Sequence, residues 1–374
     1  MARKLALHVL LFLLTVVTTT LAGAEWRYGR SFFYGYGGFI WPPAITWQQV
    51  LGGLAFSSAF LGFLTVHEFG HYLTARFYRV RVTLPYYIPI WLGVTFGIGT
   101  MGAFIRIKER IFSRKEFFDI GIAGPLAGFV LALAILAYGF THLPPLEYLY
   151  SIHPDYRVWG QNYEAHVYYR ADDLAIGRNL LFWLFEELVA DPALLPSRYE
   201  IVHYPLLFAG FLSLFFTALN LLPIGQLDGG HILYGMMGYE RFNRLSPILY
   251  ILFIFYAGLG LLSLEINVEE DWWKWAGYAL YLLVVFRPLF PEARRGVLVA
   301  AGVLSAQLFV QIIWPQVQGY NGWLVFGLVL SKALGVFHPS SPNEEPLSRG
   351  RILLGWVALV VFVLCFSPAP FIID

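Results

Sequence analysis

The sequence predicts an all-α polytopic membrane protein of about nine transmembrane helices, with a small membrane-associated β-hairpin or sheet after the second helix. Three observations carry this. Of the 374 residues 58% are hydrophobic and only 13% charged, and a mean hydropathy of +0.62 is more apolar surface than soluble cores could hide. Apolar stretches of about 17 to 25 residues, long enough to cross a bilayer, recur along the chain. Between the second and third of them the helical pattern gives way to alternation, prolines and glycines.

The stretches run over residues 5–24, 50–75, 119–141, 203–223, 245–264, 275–291, 296–314, 322–337 and 352–370. The first follows Arg3 and Lys4 and ends in Ala22-Gly23-Ala24, like a signal peptide. Its apolar part exceeds the usual h-region of about 7 to 15 residues, which favours an uncleaved helix. With a cytoplasmic N-terminus and nine alternating crossings, inner segments carry 18 Lys and Arg and outer segments 7, as the positive-inside rule requires. Arg76, Arg79, Arg81, Arg106, Lys108, Arg110, Arg114 and Lys115 dominate that bias.

Three regions follow: residues 1–49 as a first helix and outer loop, 50–240 as a core containing the outer loop 142–202, and 241–374 as additional membrane helices. The outer loop holds nine acidic residues and four arginines, with Pro144-Pro145, Asp172-Asp173 and Glu186-Glu187. It reads as a folded or partly folded spacer rather than a binding module. Residues 338–351 read as an inner linker, with Pro339 and Pro342 among serines.

Residues 79–107 read as a short hairpin. Val80, Val82 and Leu84 alternate with polar partners, Pro85 and Pro89 interrupt, and Met101 to Ile107 is β-prone after Gly97, Gly99 and Gly102. Such backbone is tolerable at membrane depth only beside protein or a water-filled cavity.

A net charge of +1 leaves no basic field for nucleic acid. A single cysteine, Cys365, excludes a multi-cysteine metal site, so any metal needs His, Asp or Glu. The stretch 50–75 supplies them, because Thr65-Val66-His67-Glu68-Phe69-Gly70-His71 contains H-E-x-x-H. Histidines four apart share a helix face and can ligate one zinc, with the glutamate placed to take a proton from water. An unpaired acid within a bilayer costs several kcal/mol, which argues for a functional cluster.

Catalytic zinc keeps three protein ligands and an open position. Asp228 is the natural third: Asn220-Leu221-Leu222-Pro223 breaks its helix and leads to Leu227-Asp228-Gly229-Gly230. His231, three residues on, is a competing donor. Asn220 is a candidate for hydrogen bonding to substrate or oxyanion, or for helix-to-helix bonding. Gly124 and Gly128 form G-x-x-x-G, read as close helix packing, and Pro125 reads as a helix entry. A metal or proton transporter using the same cluster, and a catalytically silent scaffold, are the alternatives. Transporters usually show paired repeats with broken helices, and the sequence has no evident repeat.

With these motifs in this order the chain resembles the site-2 protease family of intramembrane zinc metalloproteases. Gly102-Ala103-Phe104-Ile105-Arg106 and Phe117-Phe118-Asp119-Ile120-Gly121-Ile122-Ala123-Gly124-Pro125 look most like its bacterial and plastid branch. The resemblance implies one zinc per chain held by His67, His71 and Asp228, with Glu68 as base. It also implies transmembrane-helix protein substrates, cut after an earlier cleavage. The expected location is a bacterial cytoplasmic membrane, or a plastid membrane, with the active site towards the cytoplasmic side. Some members carry a PDZ domain, for which 142–202 is too short. The substrate is expected to unwind and add as a strand to the 79–107 hairpin, where Gly102 permits close backbone approach.

Overall fold

The computed structural model describes residues 2–35, 38–41, 43, 45–93, 97–166, 174–262 and 268–373. The fold is mostly helical with small two-stranded sheets. By length and composition, four helical segments among the described residues can cross a membrane: Lys4–Tyr28, Trp47–Phe77, Arg114–Thr141 and Ala293–Ile313. Pro205–Leu221 and Gly322–Leu334 are shorter apolar helices. The chain divides into two compact units, one of residues 1–111, 122–219 and 360–374, the other of 112–121 and 220–359.

In the first unit α1 (Ala2–Tyr28) is long and apolar, and two of its threonines bond their hydroxyls to the helix backbone. Thr15 donates to Leu11 O at 2.8 Å and Thr19 to Thr15 O at 2.7 Å. Small residues let it cross the next helices closely: a Cβ at Gly53 would meet Thr20 O at 2.0 Å, and one at Gly23 would meet Phe56 at 2.8 Å. After a two-residue hairpin of β1 (Tyr34–Gly35) and β2 (Gly38–Phe39), α2 (Trp47–Gly52) starts with a Thr46/Gln49 capping box. It runs through Gly53 into α3 (Leu54–Phe77), which carries the H-E-x-x-H motif.

The hairpin expected over 79–107 is present, although residues 94–96 lie outside the described ones. β3 (Tyr86–Pro89) and β4 (Thr100–Phe104) pair antiparallel with Tyr86 opposite Phe104 and Tyr87 opposite Ala103, and a Val82–Ile107 bridge extends the ladder. β3 lies against α1 and β4 against α3. Thr65 and Tyr87 share a 2.8 Å hydroxyl hydrogen bond that ties β3 to α3.

α4 (Arg114–Thr141) holds Pro125 in its interior, not at its entry as the sequence reading had it, because the helix begins at Arg114. The ring removes the N–H that would reach Gly121 O. The described residues of 142–202, expected from the sequence to be an outer loop, are folded. They contain α5 (Glu147–Ile152), two 3-10 turns at Pro154–Val158 and Gly160–His166, β5 (Leu174–Ile176) and α6 (Leu180–Leu188), capped by Asn179 Oδ1 on Phe182 N at 2.8 Å. Asp172 and Asp173 lie outside the described residues. β5 pairs with β6 (Phe371–Ile373) at the far end of the chain, Leu174 opposite Ile373. α7 (Pro205–Leu221) closes the unit apart from its last residues.

The second unit contains α8 (Asp228–Met237), α9 (Tyr239–Ala257), α10 (Val268–Phe286), α11 (Ala293–Ile313), α12 (Gly322–Val329) with a π-helical turn to Leu334, and α13 (Arg349–Cys365), whose end returns to the first unit. Several of its buried polar groups are paired, as an apolar interior favours. Tyr250 OH donates to Gly327 O at 2.8 Å, and Gln307 bonds Phe255 O at 2.9 Å and the Tyr278 hydroxyl. The stretch 338–351, read from sequence as a linker, is packed: Arg351 makes a bidentate pair with Asp119 at 2.8 and 2.9 Å, and Arg114 N donates to Asn343 O at 2.9 Å.

Candidate metal centre

α3 turns His67 and His71 to one side, and their Nε2 atoms approach to 3.1 Å. The rings are 4.8 Å apart at 75°, and both side chains are buried, as is Glu68 between them. Two donors held by one tetrahedral zinc at about 2.0–2.1 Å each lie about 3.3 Å apart. The histidine pair therefore has the spacing of metal ligands.

Glycines on α4 make room for these rings. A Cβ at Gly124 would stand 2.1 Å from His71 Nε2, and one at Gly128 would stand 3.2 Å from His67 Cβ and 2.9 Å from Phe63. Gly70 faces the same crossing, its absent Cβ 2.6 Å from Ala123 O. The G-x-x-x-G motif does pack helices closely, as read from the sequence, and what it packs against is the His67/His71 pair. Its spacing of four matches that of His67 and His71 in antiparallel order, a signal available in the sequence.

In the second unit, Asn220 lies in the last turn of α7, and Pro223 prevents continuation. Gly225 takes a positive φ of 60° and donates its N–H to Ser246 Oγ at 2.9 Å. α8 then starts at Asp228. A Cβ at Gly229 would lie 2.0 Å from Leu221 O, and one at Gly230 would lie 2.2 Å from Gly225 O. The paired glycines thus seat the first turn of α8 against the preceding loop and fix where the Asp228 backbone stands. His231, the competing donor, has its Nδ1 2.8 Å from His338 Nε2. His338 stacks on Tyr234 at 3.8 Å, and burial pushes its imidazole down to about 3, helped by His231. Gly102 is buried within β4 at a φ of 101°, a backbone conformation that favours glycine.

The sequence pattern of peptidase family M50 matches residues 55–262, more than half of the chain. The chain belongs to peptidase family M50. The resemblance to site-2 proteases read from the motifs is borne out. Among curated relatives, "Probable zinc metalloprotease EGY2, chloroplastic" of Oryza sativa subsp. indica is 27% identical over 230 residues, covering 62% of this chain and 35% of its own length. "Probable zinc metalloprotease EGY1, chloroplastic" of Arabidopsis thaliana is 32% identical over 178 residues, 48% of this chain and 28% of its own. EGY2 of Arabidopsis thaliana is 30% identical over 264 residues, 69% of this chain and 41% of its own. The chain spans about a third of the length of the curated relatives it matches. None of these relatives is named as a transporter.

Proposed function

We propose that this chain is an intramembrane zinc metalloprotease that hydrolyses peptide bonds in or near transmembrane segments of membrane-protein substrates. The observation that carries the reading is the convergence of His67 and His71 Nε2 to 3.1 Å around a buried Glu68, on a helix of membrane-crossing length, in an M50 chain. His67, His71 and Asp228 are the ligands for one zinc per chain. Bound zinc supplies Lewis acidity, polarising a peptide carbonyl and acidifying a water. Glu68 accepts the proton from that water and returns it to the leaving amine. Asn220 hydrogen-bonds the substrate backbone. The outer edge of β4, whose only partner strand among the described residues is β3, takes the unwound substrate as an added strand at Gly102.

The nine-crossing topology belongs to the same proposal, with residues 50–240 as protease core and 241–374 as added helices. Three contacts support its parity, because each joins segments separated by an even number of the expected crossings. They are His203 Nδ1 on Trp26 O, Asn343 N on Phe112 O, and the β5–β6 pairing. The positive-inside bias then puts Arg110 and the active site on the cytoplasmic side of a bacterial membrane. A plastid membrane is the second reading, favoured by the chloroplastic names of the relatives.

The deciding experiment is cleavage of a model transmembrane substrate by the detergent-solubilised protein, with zinc content measured in parallel. Glu68→Gln is expected to keep its zinc and lose about 10²- to 10⁴-fold in rate. Parental cleavage by Glu68→Gln would defeat the hydrolase mechanism.

A further inference from the structure

A second set of donors converges outside the membrane-spanning helices. His153 follows α5, Glu200 precedes the 3-10 turn that leads into α7, and His203 ends that turn. His153 Nε2 and His203 Nε2 are 3.2 Å apart, and Glu200 Oε2 lies 3.3 Å from the first and 3.6 Å from the second. Glu200 and His203 are 3% and 7% exposed. These separations cluster about the roughly 3.3 Å expected between donors on one tetrahedral zinc.

The surrounding bonds fix which atoms carry lone pairs. His203 Nδ1 is 2.6 Å from Trp26 O, and a carbonyl only accepts, so this nitrogen holds the ring proton and a neutral His203 presents Nε2 as a bare acceptor. Glu200 Oε1 accepts from Tyr156 OH at 2.7 Å, which turns Oε2 towards the histidines, where it receives no well-directed hydrogen bond among the described residues. Two buried acceptors then face each other at 3.6 Å, and His153 has one Nε2–H at most to serve both. A cation satisfies all three. A histidine oriented through a backbone carbonyl and a carboxylate oriented through a hydroxyl are the supports usual around protein-bound metal.

We propose that His153, Glu200 and His203 form a second divalent-metal site, of the zinc class, on the face opposite the proteolytic centre. The ion ties the turn after α5, the entry to α7 and, through Trp26 O, the end of α1 into one cluster. Its fourth position opens beside His153, the more exposed ligand at 27% for the side chain, so the ion exchanges with the outer solvent. The site is a structural clasp that depends on outer zinc.

The test uses the full chain with the other candidate site removed. A His67→Ala/His71→Ala variant, stripped with chelator and titrated with Zn²⁺ and then Co²⁺, is expected to bind one equivalent, and Co²⁺ to give a tetrahedral d–d spectrum. Adding His153→Gln should abolish that equivalent, and Tyr156→Phe should weaken it about 10- to 100-fold. No binding in the doubly substituted chain overturns the proposal, because its outer loop is parental. So does an equivalent that survives His153→Gln, since the metal then sits elsewhere. The readout is metal binding, so it is independent of whether the chain cleaves peptides.

Discussion

Replacing Gly124 with alanine introduces one methyl group where His71 needs to be. The added carbon would stand 2.1 Å from His71 Nε2 and 2.5 Å from both neighbouring ring carbons. Ordinary contact is about 3.5 Å, so the overlap is about 1.4 Å. The helix backbones cannot absorb it, because Gly70 already brings α3 within 2.6 Å of Ala123 O, measured from its absent Cβ. The imidazole must therefore swing by more than an ångström, against a tolerance for metal–ligand distances of about 0.2 Å. Zinc affinity is expected to fall at least 100-fold, about 2.7 kcal/mol. Overpacking itself costs about 1–3 kcal/mol of stability. The assay is a chelator-competition measurement of zinc affinity alongside thermal unfolding. Gly62→Ala is the control, since its Cβ would meet only Leu131 at 3.8 Å. Gly128→Ala should be milder, because the nearest atom, 2.9 Å away, is the far edge of the Phe63 ring. If Gly124→Ala holds zinc with parental affinity, the claim that this glycine clears space for a ligand is wrong.

Three further outcomes are expected. Burial pushes the Glu186 carboxyl on α6 up to about 7, with Arg178 at 2.9 Å opposing and Glu187 adding. Its folded value lies above its unfolded one, so its contribution is full below about pH 4.5 and is lost as pH rises towards 7; Glu186→Gln should flatten that slope in denaturant unfolding followed by Trp183 fluorescence, and an unchanged slope would refute the assignment. Proline placed singly from Met101 to Phe104 should impair cleavage at alternate positions with zinc retained, since each removes one backbone donor, whereas uniform tolerance would count against strand addition. In a Cys365→Ser background, cysteines at Arg110 and Arg244 should be labelled from one side and a cysteine at Glu187 from the other; labelling of all three from one side would break the nine-crossing scheme.

The sequence made some of this legible and concealed the rest for identifiable reasons. H-E-x-x-H was readable because both histidines sit about one helix turn apart, so their relation is a spacing. The hairpin over 79–107 was readable because alternation and glycine placement are local signals. The clearance of His71 by Gly124 is a contact between helices, and although the glycine spacing of four matches that of the histidines, a spacing alone does not say which two helices cross. His153 is separated from Glu200 and His203 by most of a loop, and only the fold makes its nitrogen their neighbour. The packing of 338–351 was hidden by a composition rich in proline and serine, which is equally that of a spacer. Pro125 looks like a helix entry in the sequence because the apolar run starts at Asp119, five residues after the helix does.

The pairing of β5 with β6 bears on the order of events during synthesis. Strand 174–176 finds its partner at 371–373, about 195 residues later, and Gly177 is seated so tightly that a Cβ there would lie 1.6 Å from Ala369 O. At about 5–20 residues per second the ribosome needs some 10 to 40 s to deliver that partner. Throughout that interval the loop waits with an open edge, and a chain truncated before Phe371 never closes it.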